Sequence, residues 1–376
     1  MKTLSRRQFL HSFIAGLGAA AISACEKKNP TQSFTASVSS TETRSQLQAN
    51  SGETPQPISS SLPSATISPE VDTQPVQVAS QTPSVSQPTL IPNDEIPSEK
   101  IVPMGNPDLV VAHGGDDPET IVRRAIMALG GMEQFVTRGA KVVIKPNICT
   151  AYHSYEYAST TNPWVVAALV KMCLEAGADN VSVMDYPFGG TAEQAYLISG
   201  IQEQVEAAGG KMVVMSNLKF TDTQIPDGQK IKKWPVYEDV LKADVLINVP
   251  IAKDHGLTKL TLGMKNLMGV VKNRERLHSG IGQRLADLSS LVRPTLTVVD
   301  SIRILLSGGP TGGDLNAVKK LDTIIAGRDV VAADSYAAGF FGMKPESISY
   351  IKAGSDMGIG RSDLANLKIE EITVGG

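Results

Sequence analysis

Lys141-Val142-Val143-Ile144-Lys145-Pro146-Asn147 is an apolar run, β-branched at three consecutive positions, that gives way to a lysine, a proline and an asparagine. β-Branched side chains suit a pleated strand and proline tends to end one, so the segment reads as a buried strand with polar residues at its carboxyl end. Residues 163–175 follow with apolar positions at helical spacing, opened by Asn162 as a cap and Pro163 at the first helical position. Residues 181–184 then return to a β-branched run that stops at Asp185. Strand, helix and strand in that order predict a parallel pair joined by a crossover.

The alternation persists outward from this unit. Residues 109–112, 211–215, 245–249, 295–299 and 323–326 read as strands, and 119–129, 192–208, 237–242, 282–291 and 330–341 as helices. The expectation is an α/β fold with a mainly parallel sheet flanked by helices, occupying residues 101–376 and preceded by a disordered linker.

That linker, residues 26–100, is rich in Ser, Thr, Pro and Gln and nearly free of aromatic residues, so it cannot bury enough apolar surface to offset its ordering entropy. Ahead of it stands Ser5-Arg6-Arg7-Gln8-Phe9-Leu10, followed by an apolar stretch over residues 13–24 that is too short to span a bilayer. The paired arginines predict export by the twin-arginine route. Ile22-Ser23-Ala24 before Cys25 resembles a lipoprotein signal box, which makes residues 1–25 a signal peptide and Cys25 an acylated mature N-terminus on the extracytoplasmic face of a membrane. An ordinary secretory signal and an uncleaved apolar anchor are the competing readings.

The chain is 41% hydrophobic and 19% charged with a formal net charge of −3, so no strong field draws it to nucleic acid. Three cysteines exclude a four-cysteine iron–sulfur cluster by count. Apart from Cys25, Cys149 and Cys173 can pair in an oxidising compartment, but Cys173 falls in the apolar helical pattern and reads better as a small buried hydrophobe. His113, His153, His255 and His278 are dispersed and no paired-cysteine pattern occurs, so no metal spacing is recognisable. A metal or an organic cofactor stays open.

Ligands of open parallel sheets bind beyond the carboxyl ends of the strands, and four predicted strands end on residues that carry chemistry. Lys145 and Asn147 follow the second run, Asp185 the third, Lys253 and His255 the fifth, and Asp300 the sixth. Lys253 and His255 stand two apart on an extended segment and share a face, placing a fixed cation beside a group that exchanges a proton near neutral pH. In residues 257–272, Leu260, Met264, Leu267 and Val271 recur at helical spacing and read as core, with Lys265 and Asn266 beside the stripe and Lys272 and His278 in a loop beyond it. Together these make a cationic constellation suited to a carboxylate or phosphate. Asn162 begins a helix beside Lys145, where free backbone N–H groups attract an anion, although capping alone accounts for it. The loop Gly308-Gly309-Pro310-Thr311-Gly312-Gly313 matches neither the dinucleotide nor the phosphate-loop fingerprint.

Val143-Ile144-Lys145-Pro146-Asn147, Thr160-Thr161-Asn162-Pro163, Val249-Pro250 with Lys253 and His255, Lys265-Asn266-Leu267-Met268-Gly269 and the glycine-rich loop, taken in order, resemble the DUF362 family. The resemblance spans nearly all of residues 107–376 and implies membership without implying an activity, since the family's function is unassigned. Many relatives carry a cysteine-rich ferredoxin-like segment that this chain lacks. The α/β plan with Lys and His at strand ends is also distantly similar to the lactate-racemase family, with its lysine-tethered nickel cofactor, but no motif matches and no residue carries over.

The leading expectation is therefore an extracytoplasmic, lipid-anchored enzyme acting on an anionic small molecule. His255, Lys253 and Asp185 stand as catalytic candidates, and Lys145, Asn147, Asn162, Lys265, Asn266, Lys272, His278 and Asp300 as ligand-binding ones. Asp185 and Asp300 are expected to orient the basic groups or hold a metal. A lipoprotein that binds an anionic solute or cofactor without transforming it is the alternative.

Overall fold

A computed structural model describes residues 106–375. The predicted signal peptide, Cys25 and the linker of residues 26–100 lie outside the described residues. The first strand, β1 (Leu109–His113), is followed by α1 (Pro118–Ala128), which Asp117 caps by accepting from the Glu119 and Thr120 N–H groups. The central unit is β2 (Lys141–Pro146), α2 (Pro163–Glu175) and β3 (Asn180–Val183), with β2 and β3 parallel as their sequence predicts. Helices α3 (Ala192–Ile198) and α4 (Ile201–Ala207) lead to the short β4 (Lys211–Met212). A separate hairpin, β5 (Phe220–Gln224) with β6 (Lys233–Tyr237), and the turn-length α5 (Glu238–Leu241) precede β7 (Val245–Val249).

Beyond β7 come β8 (Ile251–His255), β9 (Lys259–Thr261), α6 (Gly263–Asn266) and α7 (Ile281–Leu291). The chain closes with β10 (Leu296–Leu305), β11 (Val318–Gly327), α8 (Val330–Ala338), α9 (Ser349–Asp356) and β12 (Ile369–Thr373). The main sheet runs β12-β1-β11-β10-β7-β2-β3-β4, with β8 pairing β10 and β9 pairing β8 off this path. Among the strands of that path β11 alone runs against the rest, pairing antiparallel with both β1 and β10. The sheet is thus mainly parallel and has apolar cores on its two faces. One gathers Ile121, Val122, Leu169 and Val205 from α1, α2 and α4, and the other Met264, Leu285, Val331 and Ile351 from α6 to α9.

Strand order places the site. From β2 the chain winds outward through β3 and β4, then returns to lay β7 on the opposite flank of β2, with Lys145 opposite Asn248. The winding reverses between β2 and β7, and in an open α/β sheet that reversal opens a crevice beyond the carboxyl ends of the strands.

Several elements depart from the sequence expectation. The helix expected over residues 192–208 is two helices, because Gly200 adopts a left-handed φ of 74° between them. The strand expected over 295–299 continues to Leu305, since Asp300 is a buried strand residue rather than a polar strand end. The strand expected over 211–215 is confined to Lys211–Met212. Leu260, Met264, Leu267 and Val271 are all buried, as a stripe predicts, but helix is restricted to α6 and the 3-10 turn Leu267–Val270. No helix among the described residues is long and apolar enough to cross a membrane.

Candidate functional site

At the reversal point lies a cavity of about 440 Å³. Its base is made where β2 ends. Lys145 is buried, and its ammonium lies 2.9 Å from Asp185 Oδ1 while donating to the Pro146 carbonyl at 2.8 Å and to Asn266 Oδ1 at 2.7 Å. Burial lowers its proton affinity and Asp185 works the other way. Asp185 is engaged at both oxygens: Oδ2 accepts from the Ile148 N–H at 2.6 Å, and Oδ1 also accepts from the Tyr186 N–H at 2.8 Å. It therefore clamps Lys145 to the start of two loops.

Asn266 bridges the strands, donating to the Lys145 carbonyl at 3.2 Å and to Asn248 Oδ1 at 2.9 Å while accepting from Asn147 Nδ2 at 2.9 Å. The turn that presents it is held from behind by Asp334 on α8, which accepts from the Gly263 and Met264 N–H groups at 2.6 and 2.9 Å. At the end of that turn Gly269 packs so closely on the Lys145–Asp185 pair that a Cβ would collide with both side chains.

The second wall is β8. Lys253 and His255 both line the cavity while Asp254 turns away to accept from the Gly309 N–H at 3.0 Å, the face alternation expected of a strand. The buried Lys253 ammonium donates to the carbonyls of Ser159 and Pro310 at 2.6 and 2.8 Å and lies 3.3 Å from Cys149 Sγ. These contacts dock the glycine-rich loop on the cavity, and Pro310 joins its lining. His255 Nδ1 accepts from the Leu257 and Thr258 N–H groups at 3.1 and 3.4 Å, which keeps the ring proton on Nε2. Burial, then the Lys265 and Lys253 charges, push its pKa down to about 4. The ring is thus a neutral donor at neutral pH, where the sequence alone suggested a group titrating there.

Lys265 sits apart in its chemistry. Its side chain has no hydrogen bond or ion pair among the described residues, and burial together with Lys253, Arg274 and Lys145 brings its pKa down to about 7. Arg274 lines the cavity as well, its guanidinium donating to the Pro187 carbonyl at 2.8 Å and standing over the Tyr186 ring. His278 lies at the exposed edge, its proton affinity lowered by burial and by Lys265. Two buried polar atoms of the lining, Asn147 Oδ1 and Thr261 Oγ1, have no hydrogen-bond partner. In a cavity, such atoms are places for a ligand to meet.

Lys145, Asn147, Asp185, Lys253, His255, Lys265, Asn266 and His278 therefore converge on one cavity, while three other candidates lie elsewhere. Asp300 is fully buried outside the lining, where it accepts from the Asn162 and Ile302 N–H groups at 2.7 and 3.0 Å; burial pushes its pKa up to about 6. Asn162 caps α2 through a bond from the Trp164 N–H at 3.0 Å, so its helix start is filled by the protein's own groups. Lys272 points away from the cavity, donating to the Asn217 carbonyl at 2.7 Å beside the Phe220 ring. Arg274, Cys149 and Thr261 belong to the lining and were not legible beforehand, as each lies outside the strand-end positions of the sequence pattern. Cys149 and Cys173 are both free, Cys173 buried in α2 with its thiol pushed up to about 12 by burial. No group of three or more His, Cys, Asp or Glu side chains placed to hold a metal ion occurs among the described residues.

The cavity at this α/β crevice is lined by more lysine and arginine than carboxylate side chains. Residues 142–339 match the family described as Domain of unknown function (DUF362), and the chain belongs to it. A thylakoid-associated protein of Synechocystis sp. is 26% identical over 247 residues, covering 63% of this chain and 74% of that protein. The lactate racemase apoprotein of Thermoanaerobacterium thermosaccharolyticum aligns with a TM-score of 0.41 at 13% identity, over 61% of this chain and 56% of that one. A protein of Thermotoga maritima aligns with a TM-score of 0.36 at 12% identity, over 62% of this chain and 60% of that one. The chain thus spans less than two thirds of the length of either solved structure.

Proposed function

We propose that the protein is an enzyme acting on a small anion, a carboxylate or phosphate, bound in the cavity at the β2–β7 reversal, and that it works on the outer side of a membrane as a lipoprotein. The observation that carries the reading is Lys265: a cation without a partner, in a cavity where Lys145, Lys253 and Arg274 already outnumber Asp185 and Glu275. A cavity of that sign is incomplete without a counter-charge. Arg274 holds the anion, Lys253 adds its charge while its N–H groups stay engaged, and His255 donates to it from Nε2. Asp185 and Lys145 fix the base, and Lys265, poised near neutrality, moves the proton.

Calorimetric titration of the full-length protein with inorganic phosphate and with oxalate tests this. Binding of at least one anion is expected, weakened tenfold or more by Lys265→Met and by Arg274→Met. Absence of binding, or affinities indifferent to both substitutions, would sink the reading. The second reading, capture without chemistry, is favoured by how completely Lys145, Lys253 and Asp185 are satisfied by the protein itself, which describes a rigid cradle. Recovery of a captured solute at unchanged mass after prolonged incubation with the native-host protein supports capture, and conversion supports catalysis.

A further inference from the structure

We propose that the anion is also a carbonyl compound, an aldehyde or ketone bearing a carboxylate or phosphate, and that Lys265 condenses with it through Nζ to form an imine. The inference rests on the anion-binding reading and deepens it to a substrate class. Three lysines line the cavity and differ in their freedom. Lys145 is locked by Asp185, Asn266 and Pro146, and Lys253 by Ser159, Pro310 and Cys149. Either would have to abandon buried hydrogen bonds to reach an electrophile. Lys265 has none to abandon among the described residues and keeps part of its surface in the cavity.

The same surroundings supply reactivity. An ordinary lysine holds roughly 0.1% of its population as amine near pH 7.5. Burial and three neighbouring cations bring Lys265 down to about 7, so much of it is nucleophilic there. Those cations are also what an anionic substrate requires, so Arg274 holds its charged group, with Lys253 adding its charge alone, while the carbonyl faces the amine. The nitrogen lone pair forms the N–C bond as the carbonyl π pair moves to oxygen. The nitrogen then loses a proton and the oxygen gains one, giving a carbinolamine. Loss of one water leaves C=N where C=O stood, and no electrons are gained or lost. Thr261 Oγ1 and Asn147 Oδ1, buried in the lining without partners, are a hydroxyl and an amide oxygen left uncommitted in the same cavity.

The test incubates the full-length protein with glyoxylate, an aldehyde carrying a carboxylate, and separately with pyridoxal 5′-phosphate, each with cyanoborohydride to fix an imine. Intact mass and peptide mapping read the product, and oxalate binding is measured in parallel. One adduct per chain is expected at Lys265, with a yield that rises through about pH 7 and is reduced tenfold or more by excess oxalate. Lys265→Arg, checked for native circular dichroism, keeps the charge and is expected to lose the adduct. If oxalate binds but labelling is absent or scattered over surface lysines, the imine is overturned and the anion site stands. If oxalate does not bind and Lys265 is unlabelled, both fall.

Discussion

Lys145 and Lys265 lie far apart in the sequence and line the same cavity, yet their environments set opposite tasks. Burial disfavours both ammonium groups, but Lys145 has Asp185 at 2.9 Å to offset it, whereas Lys265 has no ion-pair partner among the described residues and feels chiefly the charges of Lys253, Arg274 and Lys145. Lys265 is thereby brought from 10.5 to about 7, and the sign of its response to a ligand follows. Above that value the empty site holds an amine, whereas a bound anion without a carbonyl favours the ammonium, so binding draws a proton from solution. Calorimetry of oxalate or phosphate in buffers of differing ionisation enthalpy is expected to show proton uptake above about pH 7 that fades below it. Lys265→Met removes the uptake, and one enthalpy in every buffer contradicts the assignment. In the ligand-free protein the unfolded chain retains a proton that the folded one has lost between about 7 and 10.5, so this group's contribution to stability rises with pH across that window.

At the scale of elements, the turn after α6 matters more than its length suggests, because Gly269 lies directly on the Lys145–Asp185 pair. Gly269→Ala must push the turn away or part the ions, and separating a buried pair costs about 3–5 kcal/mol. Gly256→Ala, at a glycine with open space around its Cβ position, is the control and is expected to be neutral. Denaturant midpoints compare them, and equal midpoints would remove the clamp from the account. The mostly apolar runs of β1, β2 and β7 were plain in the sequence because strands buried on both faces need no alternation, whereas β3, Asn180-Val181-Ser182-Val183, alternates buried valines with less buried polar residues. β8 was legible as an extended segment after the fifth predicted strand but not as a sheet strand of its own: in Ile251-Ala252-Lys253-Asp254-His255 the buried Lys253 is received by the carbonyls of Ser159 and Pro310, remote in the chain. The site was legible where strands end, at Lys145, Asp185, Lys253 and His255, since topology brings those ends together. The same logic misplaced Asp300, the helix-start argument misplaced Asn162, whose backbone N–H donates to Asp300 outside the lining, and both passed over Arg274, which sits in Asn273-Arg274-Glu275-Arg276, a run that reads as solvated charge.

For the whole molecule, the lipoprotein reading raises the question of what would hold it to a membrane. A net charge of −3 gives little attraction to an anionic lipid surface, and no helix among the described residues can cross a bilayer. On the lipoprotein reading, attachment therefore falls to acyl chains on Cys25, whose grip comes from buried methylenes, about 0.8 kcal/mol each, and is insensitive to salt. Two signals separate in consequence. Arg6→Lys with Arg7→Lys is expected to leave the protein in the cytoplasm, because the twin-arginine route reads the pair itself. Cys25→Ser is expected to leave export intact and move the protein from the membrane pellet to the soluble extracytoplasmic fraction, while high salt leaves the unaltered protein in the pellet. Fractionation and immunoblotting read all three. Release of the unaltered protein by salt would transfer the attachment to a charged surface, and persistence of Cys25→Ser in the pellet would transfer it to an uncleaved apolar segment at residues 13–24.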